Sequence, residues 1–417
     1  AAGDMSVSSG SFTQTGDNLA NAQSAASITV SGTGVCSWDD TDQGGTLAIF
    51  GDVTMTAGTL DFHMKNVTIG TGIAGTVKFR DLTIPSGVTL TPGASTTITV
   101  ERNMTIISGG SYLTVNDPTL VLGGPTGEDG NYSDGNAVAI NLGTVVVDAV
   151  TKTLLTRMAV GSLDLRNGGT LATNDNNLSA SSSISTSVGT GTLQTLSGGT
   201  AESISVGGSF TPTNFAAADS RVELLGASSP VSVGAFAYWD LSVAKASAGS
   251  VVNLLSGANV GGDLIVTTGT LVQGGSLSVA GALTIGATGR IVTGDNSLSA
   301  ASIEELAAGA SIDASGQATV GRTISFAGDL TLVASGLTPG SATTVVSSGT
   351  GTLTSAGNVL RNLEKSTGGT LSAADGLELA GNLVLTAGAL DLGLNPLTLS
   401  GATSSITRGT GTLSSTG

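Results

Sequence analysis

Apolar and polar residues alternate with a period of two along most of the chain, in runs of about four to six residues. Between residues 263 and 295, "DLIVTTG", "TLVQGG", "SLSVAG", "ALTIGATG" and "RIVTGD" follow one another. Such alternation makes strands with one apolar and one polar face. Gly, Asn and Asp punctuate the runs and supply the left-handed or bulged backbone that a sharp corner needs. A run with its corner takes about seven residues, so three make a coil of about 20, the scale of β-helix repeats. The pattern predicts an all-β, parallel β-solenoid with about three strands per coil. Leu264, Leu271, Leu277, Val279, Leu283 and Ile285 are the expected inward ladder, and the interleaved Thr, Ser and Asp face water. Helical periodicity surfaces only briefly, as in "SIEELAAG" (302–309), and Gly interrupts nearly every longer window. With roughly 4.8 Å between stacked strands and about 20 coils, the expected shape is an elongated rod on the order of 90–100 Å long.

Repetition occurs at two scales. "GDVTMTAGTLDFHMKNVTIG" (51–70), "GDLIVTTGTLVQGGSLSVAG" (262–281) and "GNLVLTAGALDLGLNPLTLS" (381–400) share one frame: Gly, then Asp or Asn, then two alternating runs separated by Gly. Above it lies a long period of about 120 residues. "GSLDLRNGGTLATNDNNLSA" (161–180) aligns without a gap on "GALTIGATGRIVTGDNSLSA" (281–300), and "ISVGGSF" (204–210) falls on "ISFAGDL" (324–330). Duplication of a large block is the expected origin of the long period.

Segments such as "YWDLSVAKASAGSVVNLLSGANVGGDLIVTTGTL" (238–271) and "LRNLEKSTGGTLSAADGLELAGNLVLTAGALDL" (360–392) resemble the β-strand repeats of large secreted bacterial surface proteins, the group of filamentous-haemagglutinin-like adhesins and autotransporter passenger domains. The resemblance covers most of residues 36–417 and implies a right-handed β-helix displayed outside the cell. Residues 1–35 depart from it, so the expected organisation is an N-terminal docking or capping segment, 1–35, followed by a continuous solenoid, 36–417.

Composition narrows the function. Gly accounts for 63 of 417 residues, aromatics for 3% and charged residues for 11%, a composition able to bury a core. No stretch reaches the roughly 18 consecutive apolar residues of a membrane helix. With 14 Lys and Arg against 30 Asp and Glu, the net charge is −16, and no basic cluster exists to neutralise phosphates, which argues against nucleic acid as a partner. The single cysteine, Cys36, cannot form an intramolecular disulfide; it is expected as a small packed side chain, with an intersubunit disulfide or reactive thiol as the alternative. "AAGDMSVSS" at the front matches what a signal peptidase leaves after a small-residue site, so an extracellular or cell-surface location is expected.

Candidate chemistry is sparse. His63 falls at the turn where the related copies have Gln273 and Gly393, and is expected as a solvated corner residue rather than a catalytic base. Glu128, Asp129 and Asp134 in "GPTGEDGNYSDGN" are a candidate Ca²⁺ cluster, since that ion takes six to eight oxygens from flexible loops, but their spacing fits no EF-hand loop and a solvated loop is the plainer expectation. Asp39, Asp40 and Asp42 flank Trp38 in "SWDDTDQGG"; paired carboxylates serve glycosidases, whereas a polar loop needs no such role. Tyr238 and Trp239 in "FAYWDL" fit corner packing better than a sugar-stacking platform, although glycan binding stays open. Thr is dense, as in ice-binding solenoids, yet no Thr-x-Thr ladder persists at the coil period. No catalytic residue and no cofactor are expected.

The segment "GTGTLSSTG" (409–417) repeats "GTGTLTSAG" (349–357), which inside the chain runs on into further coils, and "GGTL" at 44–47 enters at the phase of "GGTL" at 368–371. An uncapped coil exposes an apolar cross-section and unpaired backbone groups, and so associates end to end. The expected function is therefore a non-enzymatic structural subunit of an extracellular filament, a homopolymer formed head to tail through an open, heterologous interface. A β-helical adhesin segment is the first alternative and a polysaccharide depolymerase the second. In "DMSVSSGSFTQTGD", Met5, Val7 and Phe12 alternate as anchors for a strand added to a neighbouring subunit. With Trp38 and Leu413 they make up the expected intersubunit contacts.

Overall fold

A computed structural model describes residues 4–7, 11–15, 23–25, 27–30, 35–39, 46–49, 53–55, 59–62, 66–69, 76–84, 86–87, 89–92, 96–114, 117–124, 128–195, 202–319 and 321–415. Every regular element among them is a β-strand, and strands pair in parallel, each with strands about 20 residues away in sequence. The fold is a parallel β-solenoid of the β-helix kind. No helix among the described residues is long and apolar enough to cross a membrane. The "SIEELAAG" stretch begins as a strand, Ser302–Glu305, because its isoleucine joins an apolar ladder.

The chain divides into two compact units, 1–206 with 211–219, and 207–210 with 220–417. In the first, Thr76–Ile84 pairs with Thr97–Ile106, which pairs with Thr119–Gly123 and Gly130–Asp134. Towards the N-terminus, Asp4–Val7 pairs with Ser27–Val30, and Ser27–Val30 with Val53–Met55. The described strands of residues 1–35 thus join the same ladders as the strands that follow them.

In the second unit, Leu264–Val272 pairs with Ala282–Val292 in the register Leu264↔Leu283, Val266↔Ile285 and Leu271↔Ile291. The register slips between Val266 and Thr268, where one long strand turns a corner and serves two faces of the coil. A third face carries Leu277–Val279, stacked between Ala258–Val260 and Leu298–Ala300. Leu264, Leu271, Leu277, Val279, Leu283 and Ile285 are all buried, and period-two alternation accounts for each of them.

The 120-residue repeat is also a structural repeat. Leu163, Leu165, Leu171 and Leu178 are buried, as are their counterparts Leu283, Ile285, Ile291 and Leu298. The corner that leads into the third-face strand is preserved with different residues: Asn174 at φ 52° stands where the later copy has Gly294 at φ 57°. Among residues with a Cβ, Asn is one of the few that enter this left-handed region readily, which is why Asn and Gly exchange there. Beside it, Asn176 Nδ2 donates to the Leu154 carbonyl at 3.0 Å, and Asn296 Nδ2 to that of Gln273 at 3.3 Å. Each amide thereby ties its corner to the preceding coil.

Candidate functional site

The frame of Gly followed by Asp or Asn has a direct structural cause. Asp240 Oδ1 accepts the Asp263 N–H at 2.9 Å, and Asp263 Oδ1 accepts the Ala282 N–H at 2.8 Å. On another face, Asn362 Oδ1 accepts the Asn382 N–H at 2.9 Å, and Asn382 Oδ1 that of Ser405 at 3.1 Å. Each side chain caps a donor that the turn leaves unpaired in the following coil. The corners therefore propagate one coil onto the next.

The last described coil is more exposed than the coil before it. Leu383 and Leu390 are 0% exposed, whereas Ile406 and Leu413, stacked directly on them, are 44% and 37% exposed. Strands Ile406–Arg408 and Thr412–Ser414 pair on one side only among the described residues.

Other expected contact residues are placed only in part. Met5 is half-buried on Asp4–Val7 and pairs with the fully buried Ile28; Val7 pairs with Val30. Phe12 pairs with Cys36, and Trp38 with Gln14 and Phe62. The side chains of Val7, Phe12, Cys36, Trp38 and Asp39, and the whole of His63, Asp40 and Asp42, lie outside the described residues. Of the corner residues related to His63, Gln273 is buried rather than solvated, and Gly393 sits at φ 56°.

The acidic trio serves local structure. Asp129 is exposed, and its Oδ1 accepts the Thr151 N–H at 2.7 Å. Glu128 is exposed and lies 4.0 Å from Arg102. Asp134 is buried, with Oδ1 accepting from the backbone and side chain of Asn136 and Oδ2 from the Ile140 N–H. Among the described residues, no three His, Cys, Asp or Glu side chains converge as metal ligands. Tyr238 packs in a corner: its hydroxyl donates to the Gly234 carbonyl at 2.6 Å, and its ring meets Phe236 edge-on at 5.9 Å. Its neighbour Trp239 is 47% exposed.

Charges inside the solenoid escape the alternation rule. Lys152 is buried and its Nζ donates to the carbonyls of Glu101, Arg102 and Glu128 at 2.8, 2.6 and 2.9 Å. Burial pulls its pKa down to about 8 against the opposing pull of Asp129, Asp81, Glu128 and Glu101. Lys245 donates to the carbonyls of Gly207 and Leu225, and Lys365 to those of Thr367 and Gly368. The last two occupy equivalent places in "KASAGS" and "KSTGGT", so a lysine closing a strand just before a Gly turn is the signal that finds them. Glu305 is buried, its Oε2 accepting the Val333 N–H at 2.8 Å, and burial pushes its pKa up to about 7. Glu202, also buried, accepts the Thr173 hydroxyl; burial, and then the nearby Asp175 and Asp219 carboxylates, raise it to about 7.

No protein-family model, no curated protein and no solved structure matches this chain. The class to which it belongs, a repeat protein with a parallel β-solenoid fold, rests on its own registers and ladders.

Proposed function

We propose that the chain is a structural, non-catalytic building block of an extracellular filament, in which the ladder of one copy is continued by the first coil of the next. The observation that supports this most is the continuity of the ladders: Leu363, Leu383 and Ile406 on one face, and Leu371, Leu390 and Leu413 on another, stack directly coil on coil. Parallel stacking has no built-in stop, because each coil presents the next with the same apolar ladder and the same Asp or Asn caps. A head-to-tail contact of this kind is heterologous and grows without closure. Its resemblance to filamentous-haemagglutinin-like and autotransporter-passenger repeats, together with the acidic, Thr- and Ser-rich surface, favours display on a bacterial surface.

Negative-stain electron microscopy of the purified chain over a range of concentrations tests this. Fibres that lengthen with concentration are expected. Ile406→Asp combined with Leu413→Asp should shorten them at least tenfold while leaving the far-UV circular dichroism per residue unchanged. Particles of one size at every concentration would defeat the proposal.

A further inference from the structure

We propose that a corner groove of the first unit, centred on Arg157 and Asn177, binds a neutral oligosaccharide. The groove, of about 570 Å³, spans three successive coils and is lined by Asp134, Asn136, Leu155, Arg157, Asp175 and Asn177 among others. A second hollow of about 240 Å³ shares Arg157 and Asn177 with it and continues past Met158 and Ser179 to Ser203 and Ser205. Volumes of this order suit a ligand of several rings.

The walls are fixed before any ligand arrives. Asp134 braces the turn above it through Asn136 and Ile140, and its own N–H donates to Thr156 Oγ1 at 2.7 Å. Arg157 donates to the carbonyls of Asn136 and Ala137 through one terminal nitrogen. Glu202 accepts the Thr173 hydroxyl and the Asp175 N–H, which sets the corner carrying Asp175 in its left-handed turn at φ 61°. Asn177 Oδ1 accepts the Ser203 N–H at 2.9 Å. Pre-organisation of this kind lowers the ordering cost of binding.

The remaining capacity defines the ligand. The other guanidinium N–H groups of Arg157 and the Nδ2 amide of Asn177 have no partner among the described residues. Asp175 supplies an acceptor, Ser179 a hydroxyl, and Leu155, 51% exposed, an apolar surface. Donors, acceptors and apolar carbon in close alternation match the hydroxyl edges and CH faces of a sugar. The coil interval of about 4.8 Å is close to the length of one pyranose ring, so a saccharide lying along the ladder meets a new coil with each residue. Charge selects a neutral chain: Arg157 is the single cation among the described residues that line the groove, Asp134 and Asp175 lie beside it, and the protein carries −16 overall.

Calorimetric titration of the full chain with maltohexaose, cellohexaose, mannohexaose and chitohexaose, and with a galacturonate hexamer as the acidic counterpart, tests the assignment. At least one neutral hexamer should bind, and the galacturonate should bind more weakly than it. Arg157→Ala should weaken binding at least tenfold. Asn177→Asp keeps the acceptor for the Ser203 N–H but removes the free amide donor, and should also weaken binding while leaving the melting temperature of the parent. Binding by none of the neutral hexamers, tighter binding of galacturonate, or unaltered affinity in the folded Asn177→Asp protein would each overturn the proposal.

Discussion

Leu264→Asp and Leu383→Asp should each destabilise the second unit by about 3–5 kcal/mol, the cost of leaving an uncompensated charge in the interior. Both leucines are 0% exposed and lie within continuous ladders, Leu264 between Leu241 and Leu283, Leu383 between Leu363 and Ile406. Among the described residues of this unit the buried cations are already engaged: the Nζ groups of Lys245 and Lys365 donate to backbone carbonyls. Leu394, 82% exposed on the same unit, is the control, and Leu394→Asp should stay within about 0.5 kcal/mol of the parent. Denaturant unfolding followed by circular dichroism separates the two cases. Parent-like midpoints for either ladder variant would show that the inward face has been misassigned.

The ladders are legible in the sequence because a strand's alternation is a local property. Leu277 stands between Ser276 and Ser278, and Leu283 between Ala282 and Thr284, so no knowledge of their partners is needed to place them inward. The 120-residue repeat adds a second, independent reading of the same positions, since Leu163 and Leu283 can face inward only if their whole frames do. Corners obey no such rule. Gln273, Glu305 and Lys365 sit next to apolar runs and are buried all the same: Glu305 is held by the Val333 N–H of the following coil, and Lys365 by the carbonyls of Thr367 and Gly368 in its own turn. Glu305 lies in a stretch whose periodicity is briefly helical, yet it stands on a strand with its carboxylate held inside by the Val333 N–H. The Arg157 groove is hidden for the same reason. Asp134, Arg157 and Asn177 are spaced one coil apart and become neighbours only once the coils are stacked.

Stability should fall, not rise, as the pH is raised from about 5 to about 7, and the two buried glutamates are the reason. Glu305 and Glu202 have their carboxyl pKa values raised from 4.5 to about 7, chiefly by burial. Below 4.5 both the folded and the unfolded chain hold these protons. Between 4.5 and about 7 only the folded chain does, so it binds more protons and loses stability with each increment of pH; above about 7 the effect is complete. At about 1.4 kcal/mol per pKa unit, each group shifts stability by on the order of 3 kcal/mol across that window. The opposite trend sets in on the acid side. Against partial burial, hydrogen bonds and ion pairs hold three aspartates below their ordinary 3.8, Asp81 through Arg102 and Asn103, Asp164 through Ser187 and Arg166, and Asp313 through Ser315 and Arg290, so their contribution is lost as the pH falls below about 4. An optimum between these limits, near pH 4–5, is expected. Glu305→Gln keeps an oxygen for the Val333 N–H and cannot ionise. It should match the parent near pH 5, exceed it by about 1–3 kcal/mol at pH 8, and flatten the slope between them by roughly half, because Glu202 supplies the rest. Unfolding free energies measured by denaturant titration at pH 5, 6, 7 and 8 decide the matter: a parent that gains stability across this range, or a Glu305→Gln slope as steep as the parent's, would mean that Glu305 is ionised in the folded chain and reaches solvent by a route the ladder does not show.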